Sequence, residues 1–368
     1  MRTLLTAIFS FAIILTAKPC SSVIVTPQHS AEGCTMLWKH RDQTTTIDTR
    51  VAHFEGGRYS YTALVNSYYD RDRRAYAGVN EVGLGIISTA TKNLNVRNRG
   101  SHSAPRVENR YGLIVEALRE CATVDEFEAL LKSRVRSAHF QSNIGVGDAS
   151  GGAAYFEIWS DGYVRYDVKE RPLGYDIRTN FSFAGDDSKR GASERRYRTV
   201  DVQMREKGVY SSADFIAMSR SFYSADKGGD ILSNDDVYKE ANYTVPRYSS
   251  VGATVVVCGK NPRIDVIVGH PVAGFAIPVW VECKHHIPKC LASRAMFDLS
   301  RKFSAAAYKP HISGKGYTLN KEVARKALKV KTSVKYTPTP PSDIEAFNAS
   351  VDKCFEEHRS RMERVLRL

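Results

Sequence analysis

Cys20 stands at the end of a short apolar leader and opens a run rich in β-branched residues, Ser21-Ser22-Val23-Ile24-Val25-Thr26-Pro27. A second extended run, Thr35 to Arg41, follows across a Ser-Ala-Glu-Gly turn. This pattern predicts a β-hairpin whose first residue is a thiol. If the leader is removed up to Cys20, one residue carries both a nucleophilic sulfur and a free α-amine able to act as its base. From Cys20 to Asp42 is 22 residues, enough for strand, turn and strand to bring a carboxylate back to the start of the hairpin. Cys34 sits only 8 residues before Asp42, at the expected turn, and cannot play the same part.

Residues 1–19 read as a signal leader, with Arg2 as its positive start and Leu4 to Ala17 as an uncharged, mostly apolar stretch. That stretch is short for a bilayer span and typical of a secretory signal. No later segment is long and apolar enough to span, so the expected product is exported, periplasmic or extracellular. A lipoprotein anchored through Cys20 is the alternative. Such signals place small residues before the cysteine, whereas Lys18 and Pro19 stand here, which favours the nucleophile. A signal peptidase would cut after Ala17, leaving Lys18-Pro19 to be shed by attack of the Cys20 thiol on the Pro19 carbonyl.

The formal charge is +13, and loss of Arg2 and Lys18 with the leader leaves +11. Lys and Arg are interspersed with Asp and Glu along the chain, the pattern of a solvated basic surface rather than a nucleic-acid footprint. An anionic acyl or amine part of a small-molecule substrate would suit that field. Seven cysteines is an odd count for an exported chain and suggests one thiol kept free. The other six allow three disulfides, with Cys283 and Cys290 favoured as a local pair closing a surface loop. Their spacing, with Lys284, His285, His286 and Lys289 between them, matches no zinc pattern.

Strands are expected at 59–66, 74–79 and 83–90, then helices from Tyr111 to Cys121 and Thr123 to Ser133, the latter with a Thr123/Glu126 capping box. Further strands are expected at 143–148, 153–159, 162–168, 251–258 and 263–268. Strands in runs separated by blocks of helix favour an α+β layered architecture over a doubly wound sheet. Residues 20–290 are expected to form one domain. Residues 291–368 are expected to form a helical extension packed on it, its last helix capped by Ser342 after the Pro-rich break at 337–341. The stripe Ile344, Phe347, Val351, Phe355, Met362 and Val365 gives that helix an apolar face.

Several segments together resemble the N-terminal-nucleophile hydrolases: Cys20-Ser21-Ser22, Leu37-Trp38-Lys39-His40-Arg41-Asp42, Gly78-Val79-Asn80-Glu81-Val82-Gly83-Leu84-Gly85 and Arg178-Thr179-Asn180-Phe181-Ser182. Asp148 with Gly151 to Glu157, Arg196-Tyr197 and Ile277-Pro278-Val279-Trp280 add to the likeness. The branch resembled is that of linear amides: choloylglycine hydrolases, penicillin V acylases and the acyl-coenzyme A:6-aminopenicillanate acyltransferases of peptidase family C45.

This resemblance implies a four-layer αββα fold and a self-maturing cysteine amidase acting through a thioester, with acyl transfer to an amine as the variant reaction. Cys20 is the implied nucleophile and Asp42 the carboxylate beside its amine. Asn180 is the implied donor to the oxyanion and Arg196 the brace, with Arg195 next door as the alternative register. Lys39 stands where choloylglycine hydrolases have an arginine, and a cation there would favour the thiolate. Ser88, Thr89 and Ala90 stand where those enzymes carry a second asparagine, so backbone amides would share its task. No metal or organic cofactor is required. Homo-oligomerisation is left open.

Overall fold

The computed structural model describes residues 19–43, 47–66, 75–94, 107–135, 140–233, 244–311, 316–335 and 337–367. The leader lies outside the described residues, apart from Pro19. The chain begins with the hairpin β1 (Cys20–Val25) and β2 (Met36–Asp42), then runs through β3 (Thr49–Phe54), β4 (Tyr61–Asn66), β5 (Ala75–Asn80) and β6 (Gly85–Ala90). Two helices follow, α1 (Val107–Glu120) and α2 (Val124–Arg134). Next come β7 (Ser142–Gly147), β8 (Ala153–Trp159), β9 (Gly162–Asp167) and β10 (Tyr175–Arg178). Helices α3 (Ala192–Arg205) and α4 (Ser212–Arg220) lead to the short pair β11 (Tyr223–Ser224) and β12 (Gly229–Asp230). Three more strands close the body: β13 (Ser250–Val257), β14 (Arg263–Val268) and β15 (Ile277–Trp280).

Apart from the β11–β12 pair, these strands form two antiparallel sheets, one of six strands in the order β10-β1-β2-β13-β14-β15 and one of seven running consecutively from β3 to β9. The first contains β1 as an inner strand, paired to β10 on one side and β2 on the other. Alternate residues of β1 and β2 divide between two cores, as a period of two requires. Ile24 and Leu37 pack with Leu64, Ala77, Ile87 and Tyr155 of the seven-stranded sheet. Val23, Val25, Met36 and Trp38 pack with Val200 and Met204 of α3 and Phe215 and Met218 of α4. The far face of the seven-stranded sheet is covered by Leu113, Ile114, Leu118, Phe127 and Leu131 of α1 and α2. Helices thus cover the outer faces of both sheets, and β1, β2 and β13 are buried at every position rather than at alternate ones, polar residues included.

The Gly-rich stretch before and within β6 is a packing device. A Cβ on Gly85 would lie 2.5 Å from the Cys258 sulfur and 2.6 Å from Val256, so only glycine permits the two sheets to approach there. Gly83 adopts φ +87° in the turn before it.

The C-terminal part comprises α5 (Lys289–Ala292), α6 (Ala295–Ala307), the hairpin β16 (Tyr308–Pro310) and β17 (Tyr317–Leu319), α7 (Lys321–Lys329) and α8 (Ile344–Leu366). It is therefore not wholly helical. Met296, Phe303, Ala324, Val351, Phe355 and Met362 join the core between the sheets. Asp343, not Ser342, caps α8, because its carboxylate accepts from the Ala346 amide at 2.9 Å.

All seven cysteines are free thiols, which corrects the expected Cys283–Cys290 bridge. Both side chains are buried rather than in a surface loop. Cys290 lies in α5, where the Asp352 carboxylate of α8 accepts from the Lys289 and Cys290 amides at 3.1 and 3.0 Å. That contact and the core anchor the segment that the disulfide was expected to hold.

His270 ties the C-terminal hairpin to the body. Its Nδ1 accepts from the Val272 amide at 3.2 Å, so Nε2 carries the proton toward the Tyr308 hydroxyl at 3.1 Å. Burial, with the nearby His40, pushes the imidazole down to about 3. A histidine held neutral in the fold but free to protonate when unfolded stabilises fully above about pH 6.5 and progressively less below it. Unfolding free energy should fall by about 1.4 kcal/mol per pH unit on this account as pH drops from about 6 to about 4. Urea titrations across that interval should give a slope shallower by one proton in His270→Asn; an unchanged slope would remove His270 as the cause.

Candidate active site

Cys20 is fixed at both ends of its backbone. Its N–H donates to Asn180 Oδ1 at 2.6 Å, and its carbonyl accepts from Arg196 Nη1 at 2.6 Å. Arg196 Nη2 also donates to Asn180 Oδ1 at 2.8 Å, while Asn180 Nδ2 donates to the Ala90 carbonyl at 2.7 Å. Two pure donors on the oxygen and a carbonyl on the nitrogen settle which way the Asn180 amide faces. The thiol lies 3.8 Å from the Asp42 carbonyl oxygen, toward which it donates.

Three buried contacts hold Asn180 in place. Arg178, at the end of β10, is fully buried and joined to Glu157 of β8 at 2.7 Å and to Asp176 at 2.5 Å. Asn143 of β7 donates to the Thr179 and Phe181 carbonyls at 3.2 and 2.8 Å. Asn93 accepts from the Ser182 amide at 2.7 Å and donates to the Ser182 carbonyl at 2.8 Å. Of these two asparagines, Asn93 follows β6 and Asn143 lies in β7, and they shape the loop rather than facing the thiol.

Arg196 projects from the first turns of α3 and is 2 % exposed. Burial and the neighbouring Arg247 cation push its guanidinium down to about 9, so it remains charged at neutral pH. Arg195, the other candidate in that register, instead pairs with Asp226 at 3.3 Å on the surface.

Asp42 is buried, and strand alternation turns its carboxylate to the α3–α4 side of the sheet, away from Arg41. There Ser250 Oγ donates to Oδ1 at 2.8 Å, Arg247 Nε lies 3.1 Å from Oδ2, and His40 Nε2 lies 3.6 Å from Oδ1. Burial pushes the carboxyl up, but the Arg247 cation, the nearby His40 ring and the hydrogen bond from Ser250 outweigh it and hold it below the usual range. The Cys20 N–H donates to Asn180 Oδ1, not to this carboxylate. Sequence reasoning missed Arg247 and Ser250 here, and it reached His40 only as a member of the Leu37–Asp42 run. Their meeting depends on β13 pairing with β2, which sets Ser250 opposite Asp42 across 208 residues of chain.

Three solved structures similar to this chain bear the titles of an amidase, an acylase and a hydrolase. An N-acylethanolamine-hydrolyzing acid amidase ortholog from Caenorhabditis elegans is 15 % identical, with TM-score 0.42 over 65 % of this chain and 93 % of its own. Penicillin V acylase from Agrobacterium tumefaciens is 14 % identical, with TM-score 0.42 over 72 % of this chain and 86 % of its own. A variant of conjugated bile acid hydrolase from Clostridium perfringens is 11 % identical, with TM-score 0.44 over 72 % of this chain and 93 % of its own. Penicillin V acylases are among the enzymes that the sequence motifs resemble. No family model matches, and no curated protein does.

Register separates the two remaining cations. Lys39 is opposite Ser22 on β1, and its ammonium donates to the Ser88 carbonyl of β6. Arg41 is the residue directly opposite Cys20. Among the described residues no cluster of His, Cys, Asp or Glu could hold a metal ion.

Proposed function

We propose that this protein is an exported cysteine amidase of the N-terminal-nucleophile kind, built as a four-layer αββα domain with a C-terminal extension. It cleaves a linear, non-peptide C–N bond through a thioester at Cys20 once the leader is gone. The observation that carries this reading is a cysteine opening an inner strand, with its own nitrogen and carbonyl held by Asn180 and Arg196. Nothing in a purely structural cysteine calls for two buried side chains on its backbone.

Release of Pro19 turns the Cys20 nitrogen into an amine. One of its N–H groups stays on Asn180 Oδ1, which leaves the lone pair to take the thiol proton near neutral pH. The thiolate attacks the amide carbon, and the oxyanion is met by Asn180 Nδ2 with backbone amides beside it. The Cys20 ammonium returns its proton to the departing amine, and water then releases the acid from the thioester. Arg196, fixed on the Cys20 carbonyl, keeps amine and sulfur in register. Asp42, locked to Arg247 and Ser250, fixes the backbone carbonyl under the thiol.

Intact mass and N-terminal sequence of the secreted protein test maturation directly. The wild type should begin at Cys20, and Cys20→Ala should keep its leader or retain Lys18-Pro19. Identical trimming of both proteins would show that the thiol takes no part in its own unmasking.

A further inference from the structure

Arg41 has an unusual setting for a buried cation. It is 4 % exposed, it faces the space between the sheets, and every partner it has among the described residues is neutral. Nη1 donates to Thr49 Oγ1 at 3.0 Å and Nη2 to Asn66 Oδ1 at 2.8 Å, and the guanidinium lies 3.6 Å from the centre of the Tyr76 ring. Thr49, Asn66 and Tyr76 belong to β3, β4 and β5, so the charge stands across the gap on the facing sheet while its backbone pairs with Cys20.

No carboxylate among the described residues pairs with it. Asp42, the next residue, points to the other face and is taken by Arg247 at 3.1 Å. Asp48, next to Thr49, is taken by Arg294 at 2.7 Å. A buried guanidinium without a counter-charge is costly, and such groups persist where an anion completes them. The floor beside it is also kept low. Gly252 is opposite Arg41 on the other neighbouring strand, and a Cβ there would meet nothing closer than the Ile267 carbonyl oxygen at 3.5 Å. The arginine is thus flanked by the nucleophile on one side and a residue with no side chain on the other.

We propose that Arg41, on the strand beside Cys20, anchors a carboxylate of the substrate, so that the enzyme selects amides bearing a carboxylate near the scissile bond. This rests on the amidase reading for the meaning of Cys20, though the anion site itself does not. The planar fork of arginine suits a carboxylate, and the acceptors Thr49 and Asn66 hold that fork in one orientation.

The test needs no knowledge of the natural substrate. Alkylation of Cys20 by iodoacetamide in the mature protein, followed by mass at that residue, reports occupancy of the site beside it. N-octanoylglycine and N-octanoylglycinamide share an acyl chain and differ in the charge. N-butylsuccinamic acid and N-butylsuccinamide place the same difference on the acyl side. For at least one pair the acid should protect at a concentration at least about thirtyfold lower than its amide. That ratio should collapse in Arg41→Met and partly recover in Arg41→Lys. Equal protection within both pairs in the wild type, which requires no variant to fold, overturns the proposal, as does a ratio that survives Arg41→Met. Turnover is read separately. Preference without hydrolysis of any of the four compounds sinks the amidase reading and leaves Arg41 as the anion site, whereas hydrolysis without preference does the reverse.

Discussion

A mature protein carrying Cys20→Ala should hydrolyse no amide at a measurable rate, with kcat lower by a factor of about 10^4 or more. The factor is large because the sulfur is the atom that forms the acyl-enzyme, and no neighbouring nucleophile can replace it. Ser22, on the same face of β1, is tied to Thr89 at 3.1 Å and to the Tyr155 hydroxyl at 2.9 Å. Cys34 belongs to the turn, and burial pushes its thiol up to about 11. Chains begun at residue 20 separate lost chemistry from lost maturation, since neither variant nor wild type then needs processing. Initial rates on the same N-acyl amides, normalised to folded protein by circular dichroism, give the comparison. Residual activity above a few per cent would place the nucleophile elsewhere.

Glu157→Ala should destabilise the protein by about 3–5 kcal/mol and lower kcat, although its carboxylate makes no direct contact with Cys20. Glu157 is fully buried and accepts from Arg178 Nε at 2.7 Å and from the Phe183 and Ala184 amides at 2.9 and 2.8 Å. Arg178 is itself enclosed by the rings of Tyr155, Tyr166 and Phe183 at 4.8, 4.9 and 4.5 Å, with Asp176 as its other ion partner. Removing Glu157 leaves a buried guanidinium half compensated and two amides without acceptors. The segment so loosened carries Asn180, two residues after Arg178, and with it the hydrogen bond to the Cys20 nitrogen. Urea unfolding reads the stability loss, and rates on the folded fraction read the loss of positioning. A variant with normal kcat but lowered stability would show that the Asn180 loop is held by Asn93 and Asn143 alone.

Much of the site is legible in the chain itself, because local chemistry marks it. A thiol at the head of a β-branched run, a return strand ending in Asp42 and an Arg-Thr-Asn segment are each visible within a few residues. The hairpin, the strands of the seven-stranded meander from 59 to 90 and 143 to 168, and the helices around residues 111–133 follow from period and capping. Strands β3, β10 and β15 do not emerge from the pattern. At 4 to 6 residues each they are short, and β3 and β10 are interrupted by charged residues that break the apolar pattern.

Sequence alone determined that a cysteine opens a buried strand and that a hairpin brings Asp42 back beside it, since alternation and turn chemistry act over neighbouring residues. Only the tertiary structure decided what surrounds those groups. Pairing of β13 with β2 put Arg247 and Ser250 on Asp42, and pairing of β10 with β1 put Asn180 on the Cys20 nitrogen. Register placed Arg41, not Lys39, opposite the thiol. Hydrogen-bond pairing between strands joins residues more than 150 positions apart, as with Ser22 and Arg178, and a one-residue slip turns every side chain to the other face, so nothing local in the chain specifies which cation faces the nucleophile.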